Sequence, residues 1–161
     1  MKKYIVSNCL SIAFMLFALG CTTETEEDIT ALPVVKKTSI NYDSTTISNA
    51  LPDLNSLSNI TNAYSNNYSN EIRTKLLSYM RGEVSKLGED LNVFNNILTL
   101  TGCKNENEFV LPTYAEKAKY ENSDVWLFQL TYGLGNSNFG RSKCFVFSCN
   151  NYDTIWTSFS R

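Results

Sequence analysis

The period of the apolar residues changes along this chain, from helical spacing to strand alternation, and that change restricts the fold to helices layered on a sheet. Ile72, Leu76, Tyr79, Met80, Val84 and Leu87 recur at three and four, the spacing that gathers side chains on one face of a helix. Ser69 stands where an N-cap is needed and Gly88 where the chain must leave the helix, so the pattern predicts a helix over Asn70 to Leu87. Asp90 is placed to cap a second, with Leu91, Phe94, Ile97 and Leu98 inward and Gly102 beyond its end. Leu54, Leu57, Tyr64 and Tyr68 hint at an earlier helix within Leu51 to Tyr68. Thr113-Tyr114-Ala115-Glu116 has the order of a capping box, which predicts a short helix reaching about Tyr120. From Val125 the period becomes two. Trp126, Phe128, Leu130 and Tyr132 share one face, and the other grades from Val125 and Leu127 to Gln129 and Thr131. Lys143 to Cys149 and Thr154 to Phe159 are further β-rich runs around the turn residues Asn150-Asn151-Tyr152-Asp153. The expectation is an α+β domain over residues 50–161, its N-terminal helices packed on a C-terminal three-stranded antiparallel meander.

The N-terminal third lacks such order. Met1-Lys2-Lys3 is basic, and Tyr4 to Leu19 is mostly apolar but interrupted by Ser7, Asn8 and Ser11. It falls short of the roughly 20 apolar residues a membrane span requires and has the outline of a secretory signal. Ala18-Leu19-Gly20-Cys21 resembles the lipobox of bacterial lipoproteins, with Ala18 where Leu is usual. The resemblance implies a signal peptide over 1–20 and a lipidated Cys21 as the first mature residue, held at a membrane by its acyl chains. Thr22 after the cysteine implies outer-membrane sorting, and the acidic run Glu24-Thr25-Glu26-Glu27-Asp28 resembles surface-export signals of some such lipoproteins as much as a solvated linker. Residues 21–49 read as a disordered tether. Asp43-Ser44-Thr45 and Asp153-Thr154-Ile155 resemble a bacterial O-glycosylation triplet too short to be specific. In element order alone, helices before strands resemble cystatin-like and nuclear-transport-factor-like domains.

Composition excludes more than it identifies. The chain has no histidine, which rules out Ser-His-Asp and Cys-His relays and histidine-zinc sites within it. Without Lys2 and Lys3 the 14 basic residues fall to 12 against 16 acidic ones, a balance unsuited to nucleic acid. Of five cysteines, Cys9 leaves with the signal and Cys21 carries lipid, leaving Cys103, Cys144 and Cys149. If Cys144 to Cys149 is a strand, its ends lie roughly 16 Å apart, beyond the roughly 7 Å limit for bridging. Any disulfide should then involve Cys103, and a leftover thiol without a histidine base reads as a core residue or disulfide partner before a nucleophile.

Gly135-Asn136-Ser137-Asn138-Phe139-Gly140-Arg141-Ser142 resembles a phosphate-binding P-loop with Arg for the lysine, but a β-rich run follows it where a helix must open. It reads as a hairpin loop, so no nucleotide is expected. Asn136, Asn138 and Arg141, with Lys143 nearby, remain the candidate ligand-binding residues, suited to an anion. Glu89 with Asp90, or Glu106 with Glu108, are the nearest carboxylate pairs for glycan hydrolysis, but both read as solvated charges. The aromatic meander reads first as core. The sequence thus points to a non-catalytic envelope lipoprotein, without metal or cofactor, whose domain binds or shields another envelope protein or a glycan. An immunity or inhibitor protein is the alternative, followed by a carboxylate-dependent glycan hydrolase.

Overall fold

The computed structural model describes residues 29–52, 57–103, 109–134 and 138–160. Cys21, the signal segment, Asn136 and the Glu106/Glu108 pair lie outside these residues. The order is strand β1 (Val34–Tyr42), a 3-10 turn (Ile47–Asn49), helices α1 (Ser58–Tyr64), α2 (Asn70–Lys86) and α3 (Leu91–Leu100), then strands β2 (Val110–Tyr120), β3 (Ser123–Leu134), β4 (Asn138–Ser148) and β5 (Thr154–Ser160). The strands form one mixed sheet in the order β1-β2-β3-β4-β5, with β1 parallel to β2 and every other pair antiparallel. The class is α+β. Among the described residues no helix is long and apolar enough to cross a membrane.

The helix signals act as the local chemistry demands. The Ser69 side chain accepts the Ile72 N–H at 3.1 Å, Asp90 accepts the Asn92 N–H at 2.7 Å, and Gly88 and Gly102 leave their helices at φ 72° and 75°. Leu77, Met80, Val84, Phe94, Ile97 and Leu98 from α2 and α3 pack on Val110, Trp126, Phe128, Leu130, Phe145 and Phe147 of the sheet. The predicted β3 face, Trp126, Phe128 and Leu130, is therefore the floor of the main core.

Three expectations need correction. The sheet has five strands where a three-stranded meander was expected; the three C-terminal strands do pair antiparallel, but two more precede them. One of these is Val34–Tyr42, inside the stretch that reads as a disordered tether. Its alternation is hidden because β1 is an edge strand, where Lys36, Lys37 and Asn41 face solvent and guard the open edge. The other is Val110–Tyr120, which contains the expected capping-box helix. Nine consecutive residues of it are buried; β3 pairs along the strand and β1 adds a second partner from Tyr114 onward. Tertiary pairing overrides the helix propensity of Ala-Glu-Lys-Ala. Pro112 has no N–H for the ladder and sits at a register shift in the β2–β3 pairing. Glu121 and Asn122, at φ 47° and 68°, form the two-residue turn into β3.

Behind the sheet, Ile47 and Tyr42 cover Ala118, Val125, Leu127 and Val146, while α1 adds Leu57, Ile60 and Tyr64 against Ile72, Leu76 and Leu111. The face that grades to Gln129 and Thr131 is buried along its whole length.

Candidate functional site

An open groove of about 490 Å³ lies where the N-terminus of α3 faces β1, β2 and β3. Val93 and the almost fully buried Trp126 contribute its apolar lining, and the walls are charged. Lys37 projects from β1 to Glu89 at 2.7 Å, joining the strand to the α2–α3 connection. Lys117, its neighbour across the parallel pair, lies 3.4 Å from Asp124 and donates to the Cys149 thiol at 3.3 Å. Lys119 is exposed at the rim. Cations and carboxylates thus share the walls of one groove.

Burial pushes the Cys149 thiol above its ordinary range, and the adjacent Lys117 ammonium only partly reverses this. Burial alone drives Cys144 to about 12. No disulfide joins Cys103, Cys144 or Cys149 among the described residues, so the expectation that any bridge includes Cys103 has no bridge to apply to. A protonated thiol beside a paired lysine is a weak nucleophile. Among the described residues no group of three His, Cys, Asp or Glu side chains is placed to hold a metal.

Beneath the β1 wall lies a polar cluster around Glu116, which is fully buried. Its Oε1 accepts from Thr38 Oγ1 at 2.6 Å and from the Tyr42 hydroxyl at 3.1 Å; its Oε2 accepts from the Tyr114 hydroxyl and lies 3.4 Å from Lys36 Nζ. Desolvation, then the neighbouring carboxylate, pushes Tyr42 up to about 12, and Tyr114 is also pushed up, by burial first and its bond to Glu116 second. These groups hold their protons more tightly folded than unfolded. Their contribution is complete below the unfolded values, about 9 for the thiol of Cys144 and 10 for the phenols, and is lost as pH rises towards 12. Stability should therefore be level to about pH 9, then fall by roughly 1.4 kcal/mol per pH unit for each group in its window. Urea melts from pH 7 to 11 check this; an unchanged midpoint above pH 10 contradicts it.

The residues singled out from sequence stand elsewhere. Arg141 pairs with Tyr132 inside β4 and is exposed; Asn138 opens the same strand, and only its backbone is described. The expected loop is thus shorter, since β3 runs to Leu134 and β4 starts at Asn138. A strand after the glycine-rich segment removes the P-loop geometry. Asp90 spends one carboxylate oxygen on capping α3 and Glu89 is tied to Lys37, so neither is placed as a hydrolytic pair. Lys37 and Lys117 were missed because Lys37 read as tether and Lys117 as helix, while Cys149 was weighed only as a core thiol or disulfide partner. The β-branched and aromatic run Val34, Val35, Thr38, Ile40, Tyr42 was the available signal. The chain matches no family model, no curated protein and no solved structure.

Proposed function

We propose that this is a non-catalytic lipoprotein of the cell envelope, anchored through Cys21 in the outer membrane, whose groove binds a polypeptide segment of another envelope protein. The observation that carries the reading is the set of both charge signs, Lys37 with Glu89 and Lys117 with Asp124, around a groove whose apolar lining includes Val93. Such a surface suits a partner segment with charges of both signs and an apolar side chain, because complementary charges select the partner and the half-buried Val93 offers an apolar contact. The absence of histidine and the upward-shifted Cys149 thiol support binding over catalysis.

A photo-crosslinking residue at Lys119 is expected to trap one envelope polypeptide, and the same residue at the distant Thr157 is not. Lys37→Glu, which confronts Glu89 with a like charge, is expected to lower the adduct at least tenfold. A urea melt of the same variant should show the fold retained, since the Lys37 side chain is 53% exposed. Equal trapping at both positions, or an adduct indifferent to Lys37→Glu, overturns the proposal.

A further inference from the structure

The register carries one level across the whole sheet. Arg141 pairs with Tyr132 and Tyr132 with Val110; Phe159 pairs with Lys143, Lys143 with Leu130 and Leu130 with Pro112. Phe109, Arg141, Lys143 and Phe159 therefore share one end, where β3 gives way to β4. The groove lies at the opposite end, since Lys117 pairs with Trp126 and Lys119 with Asp124. The Tyr132 hydroxyl donates to the Thr101 carbonyl at 3.4 Å, which places Leu100, at the end of α3, on the Phe159 side.

The chain also enters the domain here. Val34 pairs with Tyr114, and the residues before it run towards this end, where Ala31 bonds the Tyr64 hydroxyl and Ile29 packs into the cluster of Tyr68 and Leu111. Cys21 precedes Ile29 by eight residues, at most about 29 Å of extended chain.

Among the described residues seven large apolar side chains are exposed. Leu32, Val34, Leu100, Phe109 and Phe159 are on this side, the last 72% exposed, and only Ile40 and Ile155 are on the other. Lys143 Nζ stands 4.5 Å from the Phe145 ring centroid and 5.0 Å from that of Phe159. Neither Lys143 nor Arg141 forms a salt bridge with a carboxylate among the described residues. At the groove end Lys37 and Lys117 are paired with Glu89 and Asp124.

We propose that the Phe109/Arg141/Lys143/Phe159 end rests on the phospholipid surface to which Cys21 tethers the chain, so that the groove faces away from the bilayer. Exposed aromatic and aliphatic side chains partition into the headgroup boundary, while Lys and Arg reach the lipid phosphates. The acidic Glu24 to Asp28 run lies within the same short span, so apolar insertion carries the docking and zwitterionic phospholipid suffices. A weak intrinsic affinity is enough, because the anchor makes the encounter intramolecular. This orientation rests on the lipoprotein reading above.

The test uses the full chain, lipidated and reconstituted into phosphatidylcholine vesicles with and without phosphatidylglycerol. Phe159→Trp and Ile40→Trp share the background of Trp126 and Trp156, so brominated acyl chains report the added indole. Several-fold stronger quenching of Phe159→Trp, in both vesicle types, is expected; equal quenching of the two, or none at position 159, overturns the orientation. Fatty-acid labelling of wild type against Cys21→Ser reads the anchor separately. If neither takes up label, the anchor reading fails, and flotation of the unlipidated chain with the same vesicles still decides docking: a co-floating fraction lowered by Phe109→Ser with Phe159→Ser supports it, and an unchanged fraction overturns it.

Discussion

Trp126→Ala is expected to destabilise the domain by about 3 to 5 kcal/mol, the range for deleting a large aromatic from a packed core. The indole is 1% exposed, meets Phe94 edge-on with ring centroids 5.0 Å apart and lies 6.1 Å from Phe128. It therefore joins α3 to the sheet, and no neighbour can collapse into its volume without moving the helix. Small domains hold roughly 5 to 15 kcal/mol in all, so much of the reserve would go. Trp126→Phe keeps a ring and should recover more than half of the loss. Because the indole is almost wholly buried behind the groove lining, partner capture at Lys119 should persist in the Phe variant while the fold survives. Urea denaturation measures the first effect and crosslinking the second. A loss below about 1 kcal/mol in Trp126→Ala would show that α3 does not depend on this contact.

The parts of the fold legible in the sequence were those in which one short segment carries the whole instruction. Ser69 and Gly88 bound α2, and Asp90 and Gly102 bound α3, because capping is satisfied by groups within a few residues. The Trp126, Phe128, Leu130 face was legible because it has a single buried side to match. What was illegible depended on partners far along the chain. Val34–Tyr42 is a strand only because Val110–Tyr120 lies beside it, about 80 residues later in sequence. The Thr113 to Glu116 signal is local and its competitor is not: Thr113 Oγ1 donates to the Gln129 carbonyl at 2.9 Å, and Glu116 collects hydroxyls from β1 and β2. The groove could not be read at all, since each of its charged pairs joins one correctly placed element to a misassigned one. Arg141 was found, but as part of a loop; its place on a strand turns it from a loop anion site into one corner of an exposed apolar end.

Glu116→Ala is the second large expected effect, about 3 to 5 kcal/mol, comparable to breaking a buried ion pair from one side. The carboxyl is fully buried and is the shared acceptor for Thr38, Tyr42 and Tyr114, with Lys36 alongside. Its removal leaves three hydroxyl donors facing a cavity, and a buried unsatisfied donor costs about 1 to 3 kcal/mol. Lys36 is exposed enough to turn to water and adds little. Because Thr38 and Tyr42 belong to β1, the edge strand should loosen first, and hydrogen exchange of Val34 to Tyr42 should rise more than that of β3. Glu116→Gln separates shape from charge. It retains an acceptor oxygen for Thr38 and Tyr42 but turns an amide towards Tyr114 or Lys36, so it should cost less than half as much. The Tyr42 phenol, held near 12 first by burial and then by the carboxylate, should fall only part of the way towards 10 in that variant, as an ultraviolet titration would read. A Glu116→Ala protein as stable as wild type, or one in which β3 exchanges before β1, would mean that the cluster is not what fastens the first strand to the sheet.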